Sequence, residues 1–184
     1  GGHAAGLLLR GEAGIGKTSL LRWGRTTARE LGFSTIEAVG LEGTLPAPYS
    51  GLEQLLACIA PELDSIDVDI SALRAAVDGA GAVSAVQAAA AFLQVVTTLA
   101  ERAPVLVVVD DAHWIDDSTA TAVGTLARRA EADRVAVLAA SRHDLLWWPA
   151  TGMASLEVTG LDEPTSIALL QARTGLEEQL ARDC

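Results

Sequence analysis

The 184-residue sequence has no asparagine, a single lysine and only two cysteines, and each shortage removes a class of function. Without asparagine, the Asn-Lys-x-Asp motif that reads a guanine base cannot be present. Cys58 and Cys184 lie far apart, and no His/Cys grouping has the spacing of a catalytic zinc site. A reduced, cytoplasmic chain is the simplest reading. Basic residues number 13 against 24 acidic ones, a formal net charge of −11. That charge repels a phosphate backbone and argues against direct nucleic-acid contact by this segment. Long hydrophobic runs are missing as well. The most apolar stretch, 80–100, is interrupted by Ser84, Gln87, Gln94, Thr97 and Thr98, so it reads as a buried amphipathic helix rather than a membrane span. No charged segment followed by an apolar run and a cleavage site opens the chain, which does not look exported. Aromatics make up 4% of a sequence that is half hydrophobic, so Ala, Val and Leu must build the core.

The length fits one ordinary domain with a continuous core. Short apolar runs at 5–9, 33–39, 104–109 and 134–140 read as buried strands, and 155–158 as a weaker one. Helical spacing falls at 17–31, 49–59, 71–77, 84–101, 118–130 and 163–173. A Gly/Pro-rich passage at 40–48 must be loop, and 49–101 reads as a helical insertion between strands. The alternation predicts an α/β fold, a parallel sheet with helices on both faces.

Two motifs carry chemistry. Gly11-Glu12-Ala13-Gly14-Ile15-Gly16-Lys17-Thr18 satisfies the P-loop pattern, with a predicted strand before it and a helix after it. Glycines let the backbone aim successive N–H groups inward, and with the helix N-terminus these form an anion-binding concavity. Lys17, the only lysine among 13 basic residues, can reach the β- and γ-phosphates of a nucleotide. The hydroxyl of Thr18 can join the shell of a Mg²⁺ bridging them. The nucleotide-binding segment therefore comprises Gly11, Glu12, Ala13, Gly14, Ile15, Gly16, Lys17, Thr18 and Ser19, with Ser19 read as a helix-surface hydroxyl rather than a ligand.

The second motif is VLVVVDDAHWIDDS, in which two aspartates end the most apolar strand, a Walker B arrangement. Asp110 is placed to bind Mg²⁺, and Asp111 is the candidate for polarising the attacking water. Asp116 and Asp117 read as helix caps before Ser118. His113 reads as a packed side chain with a polar edge, with nucleotide sensing as its alternative. At the end of VAVLAASRHD, Arg142 divides evenly between sensing the γ-phosphate and an ordinary salt bridge. Arg128 and Arg129 suit the C-terminus of a helix better than an arginine finger.

GEAGIGKTSLL, VLVVVDDAHWIDDSTA, VAVLAASRHD and LEVTGLDEPTSIALL together resemble the ATPase module of large ATP-binding LuxR-type transcriptional regulators, members of the STAND branch of AAA-like P-loop NTPases. The resemblance implies a three-layer α/β/α core with a five-stranded sheet of order 5-1-4-3-2. It implies phosphate contacts from Gly14, Gly16 and Lys17, Mg²⁺ contacts from Thr18 and Asp110, water activation near Asp111 and sensing by Arg142. It also implies a division into an NTPase core over 1–160 and the opening of a helical lid over 161–184. Such modules usually begin with a helix carrying a Gly-Arg motif, and no winged-helix or helix-turn-helix module follows here, so the sequence is expected to be a fragment of a larger regulator.

The expected function is a slow, Mg²⁺-dependent signalling ATPase whose ADP/ATP state sets the assembly of the larger protein, with the other domains of that chain and nucleotide-dependent self-association as its partners. Slow turnover is expected because Asp111 stands where many fast ATPases have glutamate. The alternatives are an interaction module that binds ATP without significant hydrolysis, or an ATPase module attached to a cyclase or kinase. A small-molecule kinase would need an arginine-bearing lid, for which only Arg173 and Arg182 are available. The Ser-Gly-Gly-Gln signature of transporter ATPases is absent.

Overall fold

A computed structural model describes residues 6–43, 46–80, 82–129 and 134–174. The remainder of the expected lid, with Arg182 and Cys184, lies outside the described residues.

Val105–Asp110 forms the strand that the β-branched run predicts, and it explains how the molecule is layered. Alternate side chains of a strand point to opposite faces. Val105, Val107 and Val109 enter one buried cluster, while Leu106 and Val108 enter a second. A strand apolar on both faces needs cover on both. One cover is the helix Lys17–Glu30 (α1), whose Leu21 and Ala28 pack on Leu106, Val108 and Ala140. The other face carries Ser50–Ala57 (α2), Ala60–Leu63 (α3), Ser71–Val77 (α4), Ala85–Arg102 (α5) and Asp117–Arg129 (α6). Glu163–Thr174 (α7) follows the last strand. The sheet itself comprises Gly6–Arg10 (β1), Ser34–Val39 (β2), Val105–Asp110 (β3), Val135–Ser141 (β4) and Ala154–Glu157 (β5).

All its pairings are parallel, in the order β2-β3-β4-β1-β5. Read from the other edge this is 5-1-4-3-2, the expected order of a three-layer α/β/α P-loop NTPase. β4 lies between β1 and β3, as expected. Two helices show how local sequence sets where a helix starts. α5 begins at Ser84, whose Oγ accepts from the Gln87 N–H while Gln87 returns its amide oxygen to the Ser84 N–H, a complete capping box. α3 departs from the sequence expectation, which left this stretch without a helix. Pro61 sits in its first turn, where a missing N–H costs nothing.

Among the described residues no helix is long and apolar enough to cross a membrane.

Candidate nucleotide site

Register brings the site together. Arg10, the last residue of β1, lies opposite Ser141, the last of β4, and Val39 of β2 lies opposite Asp110 of β3. The segments that leave these strands, 11–16, 40–42, 111–114 and 142–144, therefore emerge at one edge of the sheet. In parallel α/β sheets that edge is where ligands bind.

Gly14 and Gly16 take φ of 78° and 105°, backbone that L side chains rarely adopt, and Gly16 immediately precedes α1. Lys17 is thus the first residue of that helix, and its side chain is only 6% exposed. Its ammonium donates to the carbonyls of Gly11 at 2.7 Å and Glu12 at 2.8 Å, so the charge is satisfied inside the loop. One residue on, Thr18 donates its hydroxyl to Asp110 Oδ2 at 2.7 Å, joining the loop to the end of β3. Asp110 Oδ1 accepts from the Asp111 N–H at 2.9 Å. Asp111 itself adopts a left-handed backbone, φ 45° and ψ 46°, which turns the chain sharply into the short 3-10 turn Ala112–Trp114.

A cavity of about 280 Å³ opens between these groups, lined by Gly14, Gly16, Lys17, Thr18, Asp111 and Arg142 among others. The structure thus gathers Ala13, Gly14, Gly16, Lys17, Thr18, Ser19, Asp111 and Arg142 around one space. Gly11 and Glu12 reach it through the carbonyls that hold Lys17. Ile15 does not line it; a Cβ built at Gly11 would meet the Ile15 methyl at 3.2 Å, and one at Gly160 would meet Ile15 Cδ1 at 3.8 Å, so this side chain packs beside the loop. Ser19 is an exposed hydroxyl at the cavity wall. Thr18 and Asp110 offer a hydroxyl and a carboxylate oxygen side by side, the hard donors that Mg²⁺ prefers when phosphates supply further ligands.

Arg142 makes the salt bridge that its sequence position allowed, and it does so at the cavity wall. It lines the cavity, and its Nη2 donates to Glu42 Oε2 at 3.2 Å. Glu42 was not legible as a site residue, because its partner lies 100 positions away.

His113 packs against Trp114 and His143, with ring centroids 5.2 and 5.7 Å away. Both of its ring nitrogens are buried without a hydrogen-bond partner among the described residues. Burial pushes its pKa below the ordinary histidine value; Asp111 opposes the shift, and Arg142, His143 and Lys17 reinforce it. Asp116 caps α6 as expected, accepting from the Thr119 N–H at 2.9 Å. Asp117 is instead the first residue of that helix. Asp116 does more than cap: it also accepts the N–H groups of Tyr49 and Gly51 and the hydroxyl of Thr119. Burial works to raise its pKa, but these hydrogen bonds prevail and hold it below the usual aspartate value. Arg128 and Arg129 close the last turn of α6, where Arg128 donates to Thr125 Oγ1.

A family profile described as AAA ATPase domain matches residues 1–138, three quarters of the chain. No curated protein sequence matches the chain at a significant level. Among solved structures, Cdc6p from Pyrobaculum aerophilum superposes with a TM-score of 0.61 at 15% identity, over 94% of this chain and 44% of that one. A signal transduction ATPase with numerous domains (STAND) from Pyrococcus horikoshii, which carries a tetratricopeptide repeat sensor, superposes at 0.58 and 19% identity, over 97% of this chain and 25% of that one. AMPPCP-bound DnaA from Aquifex aeolicus superposes at 0.52 and 14% identity, over 96% and 48%. At these identities the likeness is one of fold. The chain spans less than half the length of each of the three.

Proposed function

Because the chain belongs to the AAA ATPase domain family, we propose that it binds Mg²⁺-ATP at the 11–19 loop, hydrolyses it slowly, and serves as the nucleotide-dependent switch of a larger LuxR-type transcriptional regulator of the STAND group. The observation that carries this reading is the contact between Thr18 and Asp110, which joins the glycine loop and the acidic strand end beside a buried Lys17. In this reading the N–H groups of residues 14–18 and the Lys17 ammonium take the β- and γ-phosphates. Thr18 and Asp110 hold Mg²⁺, which when bound neutralises charge on those phosphates. Asp111 orients the attacking water, and Arg142 meets the charge that develops on the γ-phosphate.

One feature supports slow turnover and another bears on where output lies. Asp111 is one methylene shorter than glutamate, which shortens the reach of its carboxylate toward a water on the γ-phosphate. A formal charge of −11 opposes nucleic-acid contact by this segment and leaves output to other parts of the larger protein. The nearest competing reading is nucleotide binding without significant hydrolysis, and the same short carboxylate favours it.

Single-turnover hydrolysis of labelled ATP separates the two. The proposal expects slow phosphate release that Asp111→Asn lowers by roughly 10²-fold, in line with the loss of a positioned general base, while ATP affinity persists. Hydrolysis unchanged by Asp111→Asn removes that residue from the mechanism.

A further inference from the structure

Glu42 belongs to no motif, yet it touches the arginine that, among the described residues, lines the phosphate cavity. β2 and β4 flank β3, so the Glu42–Arg142 pair spans the end of the strand that carries Asp110 and Asp111. The base of the Glu42 loop is fixed. Gly40 donates its N–H to the Asp110 carbonyl at 3.0 Å. A Cβ built on Gly40 would lie 2.2 Å from the Asp111 carbonyl oxygen and 2.8 Å from Trp114 Cβ, so backbone packs on backbone there with no room for a side chain. Two residues later, the Glu42 carboxylate meets the Arg142 guanidinium at 3.2 Å.

We propose that Glu42 is a positioning residue that sets the discrimination between ATP and ADP, because its carboxylate competes with a third phosphate for the Arg142 guanidinium. The inference rests on the phosphate-loop reading of the same site. The loop and Lys17 serve both nucleotides through the β-phosphate, whereas only the γ-phosphate of ATP also comes within reach of Asp111 and Arg142. There it meets a guanidinium already engaged by a carboxylate, which it must displace to pair with the arginine. The Glu42 and Arg142 side chains are 61% and 32% exposed, so the pair is screened and weak enough for phosphate to displace. Glu42 thus tunes the site against ATP through Arg142 and leaves ADP nearly untouched.

The test is calorimetric titration of the chain with Mg²⁺-ATP and Mg²⁺-ADP for wild type, Glu42→Gln, Arg142→Gln and the double variant. Lys17→Ala serves as the binding control, and thermal unfolding of each variant checks that it folds. Glu42→Gln is expected to tighten ATP roughly two- to fivefold, the scale of a partly exposed ion pair that phosphate must displace, with ADP unchanged within about twofold. In the Arg142→Gln background the same substitution is expected to change nothing, since the effect runs through the guanidinium. Equal shifts for both nucleotides, no shift, weaker ATP binding, or a gain that survives in the Arg142→Gln background overturns the proposal and leaves the phosphate-loop reading standing. A folded wild-type chain that binds neither nucleotide sinks both.

Discussion

Lys17 combines three properties that few residues share: it is the only lysine, it is buried, and its ammonium is held by two carbonyls of the loop it follows. A charge in that position is already desolvated, and its removal leaves the Gly11 and Glu12 carbonyls without their donor, so the binding of Lys17→Ala is read beside a check that the variant folds. Lys17→Arg is not expected to substitute, because the larger planar fork does not fit a point-charge seat. His113 yields a separate prediction. Its folded pKa lies below the ordinary value of 6.5, so below pH 6.5 the unfolded chain takes up a proton that the folded one resists. Its contribution therefore destabilises the fold as pH falls through 6.5 toward the lowered folded value. Thermal unfolding at pH 7.5 and 5.5 is expected to show a loss at the lower pH that is smaller in His113→Gln; an identical loss in both proteins would mean that His113 takes up its proton as readily when folded.

Among the elements, α2 and α6 are held together by one carboxylate. Asp116 satisfies the N–H groups at the start of both helices, at Tyr49, Gly51 and Thr119, and is itself only 4% exposed. Asp116→Ala would leave several buried donors without partners, and a loss of about 2–4 kcal/mol is expected by urea unfolding. A change under about 0.5 kcal/mol would mean that water replaces the carboxylate without cost. The elements also divide into what the sequence made legible and what it did not. β3 was legible because five consecutive aliphatic residues admit few alternatives, and α4 was predicted with the bounds it has because Ser71 and Val77 bracket a short amphipathic run. α3 was missed because four residues are too few to show a helical period, although proline in a first helical turn is well tolerated. Asp116 was read as a local cap; its bonds to Tyr49 and Gly51 cross more than sixty positions, and no local pattern encodes them. Glu42 escaped for the same reason. The phosphate loop was legible since its chemistry lies in consecutive residues, and only the distance from Thr18 to Asp110 needed the fold.

At the scale of the whole molecule, strand order is what converts two motifs 92 positions apart into one site. β4 separates β1 from β3, and the segment that follows β4 brings Arg142 between the loop and the acidic strand end. The net charge of −11 belongs to this scale too: filter binding to duplex DNA at physiological salt is expected to show no retention by this chain, and tight retention would require a basic surface that the composition does not supply. The central claim is that this edge of the sheet holds the phosphates of ATP. Calorimetric titration of the chain with Mg²⁺-ATP, beside Lys17→Ala, tests it most directly. The account predicts saturable binding by the wild-type chain, weakened about 100-fold or more by the substitution, as expected for truncating a buried charge that contacts its ligand, in a variant that thermal unfolding shows to be folded. Equal binding by both proteins, or none by a folded wild-type chain, would contradict it.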